Sequence, residues 1–265
     1  MFSFVWLEGQ LAWNIPLLAV FICIALIYGY LLRSVSTLQI YHKQPILLLL
    51  GLFSLYLTIG SPLATISHLS FSFHMIQMSI LFFIIPPLIL LGIPVPMFER
   101  IWGISIIQKL SKLSLPPMIA LTTFSLLFLM YHLPIVLKFL SQILVIHNGY
   151  ILLLFILSFS MWWPIAAPDP KQRFSGKRKK RYAFLSGLII MPACILFIIT
   201  ALMNEMNNPF LSQMSLSLCL PPDIPSLYFL PTIFNSRIDQ LMAGILMLGM
   251  HKLGLVMTYR LGDKI

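Results

Sequence analysis

Charged residues are scarce in this sequence, and acidic residues are the scarcest. Asp, Glu, Lys and Arg make up 9% of the 265 residues, only 7 side chains are acidic, and 59% of the residues are hydrophobic. Soluble domains carry about 25% charged and about 45–50% apolar residues, so this chain has too few charges to cover a soluble fold. With a mean hydropathy of +0.96, the composition predicts an all-α polytopic membrane protein.

Cysteine pairs and catalytic motifs are also missing. The three cysteines, Cys23, Cys194 and Cys219, form no CxxC pair, so neither a disulfide framework nor a thiolate metal carrier is indicated. The chain has no HExxH, GxSxG, P-loop or GxGxxG sequence, and no carboxylate pair is spaced for acid–base chemistry. The first ten residues lack the basic start of a cleaved signal peptide. We therefore expect a protein that is not an enzyme.

Seven stretches are long and apolar enough to cross a bilayer, since about 20 helical residues span its hydrocarbon core. The predicted spans are residues 11–31, 46–67, 73–92, 116–137, 146–166, 182–203 and 238–258. The sequence thus predicts a single transmembrane domain over residues 1–265, a bundle of about seven helices. Residues 97–113 have apolar residues near helical spacing and predict an interfacial helix on the inner side of the membrane. Residues 204–237 predict a long outer loop.

The positive charge indicates the orientation of the bundle. The net charge is +10, and with the N-terminus outside, every Lys and Arg except Lys138 and Arg237 falls on the inner side. The positive-inside rule therefore predicts an N-out, C-in topology. The basic run from Lys171 to Arg181 offers no folded face with stacking aromatic residues. We expect this run to lie beside the lipid bilayer and to bind no nucleic acid.

Histidine is concentrated at the opposite, outer side of this topology. Four of the six histidines fall at the outer ends of the second to fifth helices: His68, His74, His132 and His147. A histidine at the headgroup level is commonly a hydrogen-bonding interfacial residue, because its ring is amphipathic. Four of them at one membrane level also match a metal site. The spacing alone leaves both interpretations open.

Methionine and polar side chains accompany these histidines. Met78 follows His74 by one turn of helix and shares its face. Imidazole together with thioether favours copper, above all Cu(I). The candidate metal ligands are His74, Met78, His132, His147 and His68, and the candidate supporting residues are Asp239, Met75, Gln77 and Met242. Asp239 needs a partner because a carboxylate inside an apolar helix is costly. It is a candidate ligand or an acceptor that orients a ligating imidazole.

Several motifs occur together and in a characteristic order. They are FHMIQMSILFFIIPPLILLGIP, YHLP, MWWPI and IDQLMAGILM. In this combination the chain resembles the CtaG-type cytochrome c oxidase assembly factors. The resemblance implies a seven-helix protein of the bacterial cell membrane that delivers copper to a haem-copper oxidase, with oxidase subunits and a copper donor protein as partners. The residues that match the family pattern are His74, Met75, Gln77, Pro86, Pro87, His132, His147, Trp162, Trp163, Asp239, Gln240, Ala243 and Gly244.

Two positions depart from that pattern. The chain has Met78 and Ile151 where the resemblance implies histidines. A thioether at position 78 still suits Cu(I), whereas Ile151 cannot bind a metal. We therefore expect an assembly factor with fewer or softer ligands. Two alternatives stay open. One is a copper transporter with successive metal ligands along the last helix, and the other is a metal-free scaffold for oxidase subunits.

Overall fold

The computed structural model describes residues 13–36, 38–67, 70–105, 115–202 and 236–263. In these ranges the protein is helical and has no strand, which confirms the predicted all-α class. The helices are α1 (Ile15–Val35), α2 (Lys43–Gly60), α3 (Pro62–Ile66), α4 (Phe71–Ser79), α5 (Ile85–Gly92), α6 (Val95–Trp102), α7 (Pro117–Tyr131), α8 (Pro134–Ser141), α9 (Leu144–Ala166), α10 (Gly176–Leu202) and α11 (Ser236–Gly262). A π-helical turn, Ile80–Ile84, joins α4 to α5, and a 3-10 turn, Pro170–Gln172, precedes α10.

Within the described ranges, six helical segments are long and apolar enough to cross a membrane: α1, α2, the continuous segment Phe71–Gly92, all of α10, and most of α9 and α11. The apolar helix α7 is shorter, with 15 residues. The sequence predicted this span to reach residue 137, but Pro134 holds Leu133 in an extended conformation (φ −79°, ψ 133°), which stops the helix. The chain therefore breaks between α7 and α8, next to His132.

The segment Phe71–Gly92 contains an irregular turn whose cause is local. Pro86 and Pro87 have no backbone N–H, so the turn before them loses two hydrogen-bond donors. The chain widens there into the π-helical turn, and the indole nitrogen of Trp162 on α9 donates a hydrogen bond to the Phe82 carbonyl at 2.9 Å. This bond ties the centre of the irregular segment to α9.

The hydrophobic core surrounds this segment. Phe82 and Phe83 of the π-helical turn pack edge-on against Phe124 and Phe128 of α7, with ring centroids 5.8–6.2 Å apart. Such edge-to-face pairs are favourable for aromatic rings. A smaller cluster joins α1, α2 and α6 through Tyr28, Leu32, Leu48 and Met97. The helix predicted over residues 97–113 is represented by α6, and its remainder beyond residue 105 lies outside the described residues, as does most of the loop predicted over 204–237.

The bundle has two chemically different ends. One end, called here the histidine end, contains the starts of α4, α9 and α11 and the end of α7. At the opposite, basic end, Arg173 donates to the carbonyl of Ala167 at 2.6 Å and to that of Gly262, the last residue of α11, at 3.0 Å. Burial lowers the pKa of Arg173 from its ordinary value, and the nearby Asp169 and Asp263 oppose that shift. Arg173 thus closes the C-terminus of α11.

Candidate metal site at the histidine end

Tyr131, the last residue of α7, brings three of the predicted ligands into one cluster. Its ring centroid lies 5.2 Å from that of His132, 5.9 Å from that of His147 and 6.2 Å from that of His74. These histidines come from the end of α7, the first turn of α9 and the first turns of α4. Three of the four predicted outer histidines therefore surround one tyrosine. The fourth, His68, lies outside the described residues.

His132 is buried and has one ring nitrogen occupied. Its side chain is 1% exposed, and its Nδ1 donates to the Phe128 carbonyl at 2.6 Å. Phe128 and Phe197 pack edge-on against the ring at 4.5 and 5.3 Å. Since Nδ1 carries the proton, Nε2 presents a lone pair, and within the described ranges this atom has no hydrogen-bond partner. An imidazole with one nitrogen fixed by a backbone carbonyl and the other available is the usual form of a metal ligand.

His147 and His74 contact Tyr131 in different ways. The Nε2 atom of His147 is hydrogen-bonded to the Tyr131 hydroxyl at 3.1 Å. The His74 ring is buried and stacks on the Tyr131 ring with 23° between the planes. The tyrosine thus touches two of the candidate ligands through its hydroxyl and its face.

Asp239 of α11 caps the N-terminus of α4. Its carboxylate accepts hydrogen bonds from the Ser70 hydroxyl at 2.7 Å, the Phe71 N–H at 2.7 Å and the Ser72 N–H at 3.0 Å. The Ser72 hydroxyl donates in return to the Asp239 carbonyl at 2.9 Å. The first N–H groups of a helix have no partner within the helix and favour negative charge. Asp239 was predicted as a metal ligand or as an acceptor for a ligating imidazole; in the structure its carboxylate accepts instead from the start of the helix that carries His74.

The candidate ligand Met78 and the other predicted supporting residues lie at different depths. Met75 and Met78 are fully or almost fully buried in the main core, and the Gln77 amide donates to the Thr58 carbonyl of α2 at 2.8 Å. Met242, by contrast, is 44% exposed. The methionines of α4 thus accompany His74 inside the bundle, whereas Met242 lies on its surface.

These donors suit a soft cation, but they do not form a closed coordination sphere as they stand. No group of three His, Cys, Asp or Glu side chains in the described part of the chain is placed to hold one metal ion. The chemistry of the cluster, neutral imidazoles with buried thioethers nearby, favours Cu(I) over hard cations. A site with three of these histidines as ligands would require their side chains to move.

A comparison with protein families decides which class of protein this is. The family model described as cytochrome c oxidase caa3 assembly factor (Caa3_CtaG) matches residues 25–259, nearly the whole chain. The chain belongs to this family. No curated protein and no solved structure matches it.

The structure explains motifs that the chain shares with the Caa3_CtaG pattern quoted above. The proline pair follows the π-helical turn and removes two backbone donors there. The Trp162 indole then donates to the Phe82 carbonyl of this turn. Of the two departures, Met78 of α4 is buried in the core, and Ile151 packs half-buried against the same core. The histidine cluster of this assembly factor is therefore built from His74, His132 and His147 around a tyrosine.

Sequence reasoning missed Tyr131 and the serines that Asp239 holds. Tyr131 precedes His132 directly, and its position in the motif YHLP was the available signal. Ser70 and Ser72 flank the first residue of α4, where residues with small hydroxyl side chains commonly mark a helix start. Nothing in the local sequence links them to a carboxylate about 170 residues later.

Proposed function

We propose that this assembly factor binds copper as Cu(I) at its histidine end and passes it to a haem-copper oxidase subunit during maturation. The observation that carries the proposal is His132, a buried imidazole whose Nδ1 is fixed by Phe128 and whose Nε2 lone pair has no partner in the described part of the chain. A buried acceptor without a partner is costly, and a Cu(I) ion removes that cost. His132 is the first ligand, with His74, His147 and the thioether of Met78 as its companions.

The charge distribution supports an outward-facing site in a bacterial cell membrane. Basic residues at the far end of the bundle include Arg33, Arg100, Arg173 and the run from Lys177 to Arg181. Positive residues stay on the cytoplasmic side of membrane proteins. The histidine end then faces outward, where a copper donor protein and the copper-binding part of an oxidase subunit meet it. The role needs no catalytic group.

A metal-free scaffold is the second candidate, and one observation favours it. Asp239 belongs to the motif of the last helix, yet both its carboxylate oxygens are occupied by the start of α4. That arrangement accounts for the residue without any metal. In a scaffold the histidines only make hydrogen bonds and ring contacts. The transport alternative lacks comparable support. It requires a series of metal ligands inside the bundle along α11, but Met242, the outermost of them, has an exposed side chain.

Copper binding by purified protein separates these candidates. We expect the detergent-solubilised wild-type protein, loaded with Cu(I) under reducing conditions, to retain copper on desalting. We expect His132→Ala to weaken binding by at least about tenfold, since even the partners of metal ligands contribute about 10–100-fold to affinity. The measurement is copper per protein, with affinity obtained by competition against a Cu(I) chelator.

His42→Ala is the matched control for that experiment. His42 lies in an exposed loop at the basic end, where its ring stacks on Tyr41 and its side chain hydrogen-bonds only with Gln39 among the described residues. Its replacement removes a histidine without touching the cluster, so we expect copper binding to be unchanged. Absence of copper from the wild-type protein, or unchanged binding when His74→Ala and His132→Ala are combined, contradicts the proposed function and leaves the scaffold.

A further inference from the structure

Tyr131 is held rigidly at the centre of the histidine cluster. Its side chain is 1% exposed, and the ring of Tyr150, one turn after His147 on α9, stacks beside it with centroids 5.9 Å and planes 25° apart. Tyr150 is itself fixed, because its hydroxyl donates to the Leu127 carbonyl at 2.8 Å. The ring of Tyr131 thus occupies a defined place beside three imidazoles.

The hydrogen bond between Tyr131 and His147 has a chemical consequence for ligation. A neutral imidazole nitrogen either carries a proton or presents one lone pair. If Nε2 of His147 accepts from the tyrosine hydroxyl, its lone pair is used; if Nε2 donates, it has no lone pair to offer. In both cases this atom cannot bind a metal while the 3.1 Å hydrogen bond exists.

His132 differs from His147 in this respect. Its Nε2 has no hydrogen-bond partner in the described part of the chain, so it is ready to bind. Of these two Nε2 atoms, that of His132 is available to a metal and that of His147 is blocked by a neighbouring hydroxyl. The difference between them comes from a single oxygen atom, that of Tyr131.

We propose that the Tyr131 hydroxyl controls whether His147 joins His132 as a copper ligand through its Nε2 atom, so that Tyr131 is a positioning residue that sets the strength of copper retention. This inference rests on the proposed function. With the hydrogen bond intact, copper is held by fewer imidazoles and is easily passed on. When the hydroxyl releases Nε2 of His147, the coordination closes and copper is retained more tightly.

Tyr131→Phe tests this directly, because it keeps the ring and removes only the hydroxyl. We expect it to bind Cu(I) about three- to tenfold more tightly than the wild-type protein, since copper no longer competes with a hydrogen bond of ordinary strength. The affinity is measured on the full chain in detergent by competition with bicinchoninate. Tyr150→Phe is the matched control: it also removes a tyrosine hydroxyl beside the cluster, a partly buried one that bonds to a carbonyl, and its affinity should equal that of the wild type.

A double variant identifies the nitrogen responsible. We expect the gain from Tyr131→Phe to disappear when His147→Ala is added, because a coupling between the two positions is the signature of their interaction. A tyrosine that only supported the fold would give no gain and no such coupling. Wild-type affinity in Tyr131→Phe, or a gain that survives His147→Ala, overturns this inference while copper binding itself stands. Absence of copper from all variants overturns the proposed function, and the inference with it.

Discussion

Replacing Asp239 by alanine is expected to lower the free energy of unfolding by about 3–4 kcal/mol in copper-free protein. The variant leaves the N–H groups of Phe71 and Ser72 and the hydroxyl of Ser70 without their shared acceptor. The carboxylate is 5% exposed, so water does not readily replace it. The loss is measured by denaturant unfolding in detergent micelles, followed by circular dichroism.

Two further variants serve as comparisons for Asp239→Ala: the conservative change Asp239→Asn, and Asp263→Ala as a control near the other end of α11. In Asp239→Asn the side-chain amide retains one acceptor oxygen but places its N–H₂ group next to a backbone N–H donor. We therefore expect an intermediate loss of about 1–2 kcal/mol in the free energy of unfolding. Asp263 lies just beyond the other end of the same helix and forms a salt bridge with Lys179 at 2.9 Å, but its side chain is 68% exposed. An exposed pair contributes about 0–1 kcal/mol. If Asp239→Ala costs no more than Asp263→Ala, the cap does not support α4.

Replacing Gly254 by alanine is expected to destabilise the protein by about 2–3 kcal/mol. Gly254 of α11 packs against the π-helical turn, and an added Cβ atom would collide with the carbonyl oxygen of Phe83 and lie 3.2 Å from the Trp162 ring. Neither neighbour yields easily, since one is backbone and the other is a buried indole held by its bond to Phe82. The free energy of unfolding in detergent measures the effect.

Gly249→Ala is the matched control on the same helix. Apart from the neighbouring backbone of α11 itself, no atom of the described residues lies within 4 Å of a Cβ added there, so only the helix propensity changes, which favours alanine by up to about 1 kcal/mol. We expect Gly249→Ala to be neutral or slightly stabilising. Equal effects of the two substitutions would mean that α11 does not pack closely against the π-helical turn.

The helices were largely predictable from hydropathy, and their ends were not. Long apolar stretches predicted the bundle, because lipid requires continuous apolar helices. The end of α7 differed from the prediction by six residues: apolar composition continues to residue 137, whereas the conformation forced on Leu133 by Pro134 stops the helix at Tyr131. That break leaves His132, the first ligand in the proposed function, just after the last turn of α7.

The candidate site was predictable as a set of residue types but not as an arrangement. The positions of His74, His132 and His147 along their helices placed them at one level, and the structure brings all three beside Tyr131. Which way each helix is rotated depends on packing between helices, which no local pattern encodes. For this reason neither the tyrosine between the predicted ligands nor the contact of Asp239 with α4 could be read from the sequence.

The most direct measurement of the central claim is oxidase assembly in cells. The wild-type protein, His132→Ala and His42→Ala are expressed at equal membrane levels in cells whose own copy is deleted, grown with limiting copper. The account predicts normal activity and copper content of the haem-copper oxidase with the wild-type protein and His42→Ala. With His132→Ala it predicts values near those of the deletion, which added copper restores. Full oxidase assembly with His132→Ala under limiting copper would contradict a copper-handling role.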